Sequence, residues 1–423
     1  MSIVAGVDSR LPSEFNHEQL SNAKFFKSVT DLAMMANSNQ RPDIAFVALP
    51  HSEYPITVSQ LLQHKIHVIQ EKPLAISVSK GLACVALAEQ NTVHFGVTAQ
   101  RHFSKRYSQL QEWLPMVGTV KAVQVVEKIE VLHLDDGWRS SKAIAGGGVV
   151  LDLGYHMIDQ LINLFGADCV VNHARLLKTR SGTYNVEDTA HVQLTFQHRN
   201  SGATPVTTPV NLVLSRAADE AEEFFEIIGE RGVLRLHNGV VSLNGTRRHG
   251  SDMQKTSLQC VEPGHMLLRT AFKSFFAGDI AKWDCQRDLA VLRIIEAIYA
   301  HAQISVVDHT AFPPLTPGGK SLKKWSWPRI TSQVKADIIR QLDTTLSIYD
   351  NRGVFADFET DFKVAMGAPN LGLPKSGLGP VLTPTAQDRT TSGPYIWVKV
   401  KDRTGPVSGP NRRSGPGPRL GPD

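Results

Sequence analysis

Two short stretches of the chain bring together residue types suited to moving protons. The first is Glu71-Lys72-Pro73, which directly follows a short apolar run, His67 to Ile69. A lysine at the end of a strand can polarise a substrate hydroxyl or carbonyl, or trade a proton with it. Pro73 fixes the backbone behind it. A surface lysine in an ordinary turn fits the tripeptide equally well. The second stretch runs from Gly146-Gly147-Gly148 through Asp152, His156 and Asp159. Three glycines allow a sharp entry into a helix or a close approach to a ligand. On a helix, Asp152, His156 and Asp159 share one face. A histidine between two carboxylates suits a base that takes a hydroxyl proton while hydride leaves the same carbon. The competing reading is a core histidine that merely satisfies its neighbours. A metal site on this face ranks lower, because the spacing is not HExxH and no second histidine lies one turn away.

Those residues need a frame. Ile3 to Val7 is a short apolar run ending at Asp8, and Ser28 to Ser38 reads as a helix. Asp43 to Leu49 reads as a strand before Pro50, and Tyr54 to His64 as a helix. The pattern continues with a helix over Ser79 to Gln90 and a strand over Thr92 to Val97. Strands alternating with helices predict βαβ units and a parallel sheet. After about Gly118 the pattern changes to alternation of period two. Strands are predicted over Val120 to Val131, Glu187 to Gln197, Val206 to Ser215, Phe224 to Gly229 and Gly232 to Leu243. Helices interrupt at Asp152 to Phe165 and close the region from about Asp284 to Ala302. The fold class is therefore a Rossmann-like α/β domain followed by an α+β domain with an open, mostly antiparallel sheet. The corresponding domains are residues 1–118 and 119–311, with a linker and short helical segment (Ser332 to Leu346) over 312–362 and a tail over 363–423.

The net charge of +5 would suggest a nucleic-acid partner if it lay on a folded face. It does not: the residues from Lys363 onward carry nine Lys or Arg against three Asp, and the remainder is nearly neutral. That tail also holds ten of the 23 prolines and seven Gly-Pro pairs, a composition that predicts disorder. No apolar stretch spans a membrane, and the N-terminus lacks a signal-peptide pattern, so the expected location is cytoplasmic. Four scattered cysteines with no CxxC pair give no metal knuckle or disulfide framework.

Taken in order, DIAFVALP, HVIQEKPLA, TAQRHFSKRY, GWRSSKAIAGGG, GGGVVLDLGYHMIDQLINLFG, VEDTAHVQLTF and FFEIIGERGVLRLHNG resemble the Gfo/Idh/MocA oxidoreductase family over about Ser2 to Ala311. The resemblance implies hydride transfer between NAD(P) and a hydroxyl or keto carbon of a sugar, sugar nucleotide or cyclitol. It implies Lys72, Asp152 and His156 as catalytic residues, with His156 the base. It places Asp8, Arg10, Pro50, His51, Glu71 and Lys72 toward the cofactor, with NAD favoured by Asp8 and NADP allowed by Arg10. Arg101, Trp138, Arg139, Tyr155 and Asp159 would face the substrate. Members of this family usually pair through the open sheet face, so a homo-oligomer is expected. In the strand carrying Val192, Leu194 and Phe196, the alternate residues His191, Gln193 and Thr195 would belong to that face.

The chain departs from the family in one respect. A GxGxxG turn should precede the strand that ends at Asp8, and only seven residues do. The expectation is an N-terminally truncated relative or a misplaced start, lacking both the pyrophosphate cradle and the central first strand of the 3-2-1-4-5-6 order. A second reading of the chain follows: a non-catalytic remnant that binds a sugar ligand or a partner subunit without dinucleotide. Farther on, KWSWPRIT and LDTTLSIYDNRGVFADFETDF resemble the start of the DegT/StrS sugar aminotransferases, without the residues that hold pyridoxal phosphate.

Overall fold

The computed structural model describes residues 2–7, 24–34, 42–199, 205–245, 256–260, 264–277, 283, 285–306 and 395–400. Asp8, Arg10, the segment 332–346, the aminotransferase-like stretch and most of the tail lie outside them.

The first sheet is built as the alternating pattern requires. Its strands are β1 (Ser2–Val7), β2 (Lys24–Phe26), β3 (Ile44–Ala48), β4 (His67–Glu71) and β5 (Phe95–Thr98). Between them run helices α1 (Val29–Met34), α2 (Tyr54–Gln63) and α3 (Val78–Asn91). β3 reads as a continuous apolar run because Ala45, Val47 and Ala48 are all buried, as expected of a strand covered on both faces. Ser77 caps α3 by accepting from the Lys80 amide, at 3.4 Å. β1 pairs in parallel with β2, and β3, β4 and β5 pair in parallel with one another.

The second sheet follows the short helix α4 (Lys105–Trp113) and has nine strands. In chain order they begin with β6 (Val120–Glu130), then β7 (Cys169–Lys178), β8 (Thr189–Arg199), β9 (Pro205–Ser215) and β10 (Ala217–Gly229). The hairpin β11 (Gly232–His237) and β12 (Val240–Gly245) comes next, and β13 (Thr256–Gln259) and β14 (Ala302–Val306) complete the set. The spatial order is β13-β12-β11-β10-β6-β9-β8-β7-β14. Most pairs are antiparallel, and β6–β9 and β7–β14 are parallel. One face is apolar: Ala190, Val192, Leu194 and Phe196 of β8 and Val210, Leu212 and Leu214 of β9 are buried, while His191 and Gln193 point the other way and are exposed.

After a single helical turn, α5 (Lys142–Ala145), helix α6 (Val149–Phe165) lies on that apolar face. It is buried nearly all round, as a helix packed between two layers must be. Gly154 lets it close on the sheet: a Cβ there would stand 2.9 Å from Leu214. The chain then adds α7 (Gly264–Ala277) and α8 (Cys285–His301). α8 touches α6 and β7 on one side and α3 and β5 on the other, so it ties the two sheets together. Leu289 of α8 sits 3.1 Å from where a Cβ of Gly81 would be. Among the described residues, no helix is long and apolar enough to cross a membrane.

The expected disorder of the tail needs correction over six residues. Tyr395–Val400 forms β15, which lies between β1 and β3 in the order β2-β1-β15-β3-β4-β5. It is antiparallel to both, pairing Ile396 with Val7 and Tyr395 with Ala48. The physical reason is the open slot. With β2 outside β1 and β4 outside β3, the inner edges of β1 and β3 would leave buried amides and carbonyls without partners, each costing about 1–3 kcal/mol. This is the central position that the family layout gives to its first strand.

The slot sets an expectation for exchange. Deleting residues 395–423 should speed amide hydrogen exchange in peptides covering Ser2–Val7 and Ile44–Ala48, while β5 and the β8–β9 pair stay protected. Unchanged protection of β1 and β3 would show that β15 does not fill the gap in solution.

Candidate active site

The site forms where the carboxyl ends of β3 and β4 meet the start of α6. Gln70 fixes the turn after β4: its Nε2 donates to the carbonyls of Pro73 at 2.7 Å and Leu74 at 3.1 Å. Lys72 is thereby aimed across the domain boundary. Its Nζ donates to Asp152 Oδ1 at 2.6 Å and to the Asp152 carbonyl at 3.0 Å. Glu71 turns the other way, accepting from Thr98 Oγ1 at 2.6 Å and from the Lys72 amide at 3.1 Å. Burial raises the Glu71 carboxyl above its ordinary range despite those donors.

The start of α6 is held from β8's side. Glu187 accepts from the amides of Gly148 and Val150 at 3.0 and 3.1 Å, and Tyr299 Oη donates to it at 2.7 Å. A carboxylate on a helix N-terminus is favourable by charge as well as by hydrogen bonding. The glycine run exists for this packing. A Cβ on Gly148 would stand 2.0 Å from the Glu187 carbonyl oxygen, and one on Gly147 would stand 2.1 Å from Tyr299 Oη.

Asp152 gathers three cations. Besides Lys72, Arg139 Nε lies 3.6 Å and Arg216 Nε 3.9 Å from its Oδ2. Burial works to raise this carboxyl, but Lys72, Arg139 and Arg216 together hold it well below the ordinary range. His156, one turn along, is pushed well below its ordinary value by burial and then by Lys72 and Arg101. Its imidazole is therefore neutral, and the same burial and cations weaken it as a base. Among the described residues, neither Asp152 nor Asp159 hydrogen-bonds to it, so the expected carboxylate–histidine–carboxylate line is not formed. Asp159 is engaged elsewhere, with His102 Nε2 at 2.6 Å and Arg287 Nε at 3.5 Å.

His51 completes the group. Its Nδ1 meets the Ala145 carbonyl at 2.8 Å. A carbonyl only accepts, so Nδ1 carries the proton and Nε2 presents a lone pair. Burial, then Lys72 and Arg139, lower this histidine to about 3. Trp138 meets His51 edge-on with centroids 4.5 Å apart and carries Arg139 over its own ring at 4.3 Å.

Of the residues singled out from sequence, Lys72, Asp152, His156, Glu71, His51, Trp138 and Arg139 come together here, with Pro50 at the turn beside His51. Tyr155 does not: it is fully buried and donates to Asp288 at 2.6 Å. Arg101 is committed to Glu127 at 2.6 Å and Glu223 at 3.3 Å, joining the segment before α4 to β6 and β10. Arg216 and Glu187 belong to the site and were not singled out. Glu187 stood inside a quoted motif, but its capping role depends on a helix start 38 or so residues away in sequence, beyond any local signal. Arg216 is one residue past a strand, where nothing periodic marks it.

The dinucleotide that such a fold accommodates divides over this frame. Pro50, His51, Glu71 and Lys72 stand at the carboxyl edge where a nicotinamide ring would rest. The phosphate side fits less well: at the centre of that edge the chain enters antiparallel β15, and among the described residues no glycine turn opens a helix there.

The chain belongs to the Gfo/Idh/MocA oxidoreductase family. The family's NAD-binding Rossmann fold matches residues 4–99 and its C-terminal alpha/beta domain residues 115–304, together more than half of the chain. A protein of Amycolatopsis mediterranei (strain S699), provisionally named UDP-kanosamine synthase oxidoreductase subunit, is 27% identical over 168 residues, 39% of this chain and 44% of that protein. The match spans less than half the length of that relative. Among solved structures, KijD10, a 3-ketoreductase from Actinomadura kijaniata in complex with NADP and TDP-benzene, superposes with a TM-score of 0.58 at 16% identity, covering 72% of this chain and 91% of that one. GenD2 from gentamicin A biosynthesis, in complex with NAD, gives a TM-score of 0.56 at 18% identity over 71% of this chain and 86% of its own.

The two depressed histidines fix the sign of a pH effect. In the unfolded chain each protonates near 6.5, whereas in the fold His51 stays neutral down to about 3. The unfolded state therefore binds more protons below 6.5, and stability present above that pH is lost as pH falls. The loss should approach about 1.4 kcal/mol per pH unit for each histidine. Urea unfolding measured from about pH 7 to pH 5 should show this slope, and His51→Gln should make it shallower. An unchanged slope in the variant would place His51 outside the buried cluster.

Proposed function

We propose that the chain is a sugar oxidoreductase, acting at a hydroxyl or keto carbon of a sugar, sugar nucleotide or cyclitol. The observation that carries this reading is the Lys72–Asp152 pair at 2.6 Å, with neutral His156 one helical turn away. Lys72 polarises the substrate oxygen, and Asp152 holds Lys72 in place. The His156 imidazole takes the hydroxyl proton as the carbon is oxidised, or returns it in reduction. The dinucleotide supplies or accepts the hydride when bound. NAD is the favoured form, because Asp8 follows β1 where a carboxylate takes the ribose hydroxyls, and Arg10 leaves NADP acceptable. The sugar-nucleotide and amino-sugar terms in the names of the relatives support the substrate class. The assembly is a homo-oligomer built on the face that carries His191 and Gln193.

One observation favours a second reading. Antiparallel β15 in the central slot supports a chain that binds sugar or a partner subunit without dinucleotide.

A chimaera separates the two readings. A relative's first strand, glycine turn and following helix would be fused ahead of Ser2, with residues 395–423 removed. It should reduce NAD in the presence of a sugar panel and scatter light as an oligomer, and Lys72→Met and His156→Asn should each lower turnover about 10²-fold. Near-normal turnover in both variants would remove the assigned roles. Sugar binding with no reduction of either dinucleotide would select the second reading.

A further inference from the structure

His51 is held by one of its two ring nitrogens. Its Nδ1 donates to the Ala145 carbonyl at 2.8 Å, which leaves Nε2 as a bare acceptor. His51 is only 3% exposed, and Nε2 has no hydrogen-bond partner among the described residues. Two aromatic rings hem it in: Tyr54 stacks with it at a centroid distance of 6.1 Å, and Trp138 meets it edge-on at 4.5 Å. A buried acceptor without a hydrogen costs about 1–3 kcal/mol.

Anchoring Ala145 does not explain the ring. The side-chain amide of an asparagine reaches the place of Nδ1 and would donate to the same carbonyl. What imidazole adds is the second nitrogen, and that nitrogen stands in the site. The charges of Lys72 from the turn after β4, Arg139 from the segment before α5 and Asp152 from α6 all bear on it. Burial, then Lys72 and Arg139, keep the ring neutral down to about 3, so Nε2 does not turn into a donor at any ordinary pH. Lysine and arginine side chains only donate. A ligand whose oxygens face Lys72 and Arg139 therefore has His51 left for one of its hydrogens.

We propose that His51 Nε2 is a recognition acceptor for an uncharged N–H or O–H of the bound ligand. Two ligand groups carry that chemistry at this edge: the carboxamide of a nicotinamide ring and a hydroxyl of the sugar. The site thus selects a ligand that offers a hydrogen beside the oxygen held by the cations, and it rejects a counterpart whose oxygens are all capped. This rests on the oxidoreductase reading only for which ligands enter; the donor preference itself requires no hydride transfer.

Ring-nitrogen NMR of the full chain tests it, with the His51 signals assigned by their loss in His51→Asn or His51→Gln. Nicotinamide mononucleotide is compared with its acetylpyridine counterpart, which keeps the carbonyl and lacks the N–H. Glucose and myo-inositol are compared with their fully O-methylated forms, which keep every oxygen and lack every O–H. In at least one pair, the donor-bearing member alone should move the Nε2 resonance and should bind about tenfold more tightly than the capped one. A shift with the mononucleotide identifies the carboxamide as the donor, and a shift with a sugar identifies the hydroxyl. His51→Asn should abolish the tenfold gap by weakening only the donor-bearing member. Should that variant fail to fold, the shift and the gap in the parent decide. An Nε2 resonance that no ligand moves, equal binding within every pair, or a gap that survives His51→Asn would overturn the proposal. Failure of the oxidoreductase reading would look different: Nε2 would still respond to its ligand while the chimaera reduced no dinucleotide.

Discussion

The contact between Lys72 and Asp152 holds the site together, because each residue belongs to a different sheet's architecture. Lys72 leaves the carboxyl end of β4, and Asp152 sits in the first turn of α6, the helix that covers the nine-stranded sheet. Burying either charge alone would cost several kcal/mol, and burying both is tolerable only at this short distance. The rest of the local structure serves that distance. Gln70 sets the turn that aims the lysine. Glu187 and Tyr299 fix the start of α6, and Gly147 and Gly148 leave them room. α8, packed on both halves, keeps the two layers from sliding.

Neutral histidines follow from the same cluster. His51 and His156 stand near Lys72 and are buried, and each effect disfavours imidazolium. The cations that assemble the site therefore also keep both imidazole rings unprotonated. The arrangement differs from the one the helix spacing suggested. Asp159 shares a face with His156, yet it pairs with His102 and Arg287. In place of a histidine between two carboxylates stands a neutral ring beside cations.

Much of the frame was legible in the sequence because its signals are local. The apolar run ending at Pro50, the helix read over Ser79 to Gln90 and the period-two alternation through Val192, Leu194 and Phe196 all correspond to observed elements. The segment Gly232 to Leu243, read as one strand, is a hairpin. Asn238 and Gly239 both take positive φ at its turn, a dipeptide signal that was present in the sequence. The strand over Cys169–Lys178 alternates too weakly for its period to show. That Lys72, Asp152 and His156 would come together was legible through the order of their motifs. The partners of Tyr155 and Arg101 were not legible, because a motif gives the position of a residue and not its partner. Asp288 and the pair Glu127 and Glu223, which claim them, lie far off in sequence. The same blindness hid Arg216. β15 was unreadable for another reason: its pairing depends on an unfilled slot nearly 350 residues upstream, in a segment whose composition argues for disorder.

The central claim is that the buried Lys72 ammonium and the Asp152 carboxylate depend on each other. Unfolding free energies of the parent, Lys72→Met, Asp152→Asn and the double variant test it most directly. Asp152→Asn should be the costliest, by about 3–5 kcal/mol, because it leaves the buried Lys72 without its counter-charge. Lys72→Met should destabilise the parent but stabilise the Asp152→Asn background, where it removes the uncompensated buried charge. Costs that simply add in the double variant would contradict the account, since they would show that the lysine and the carboxylate do not depend on each other.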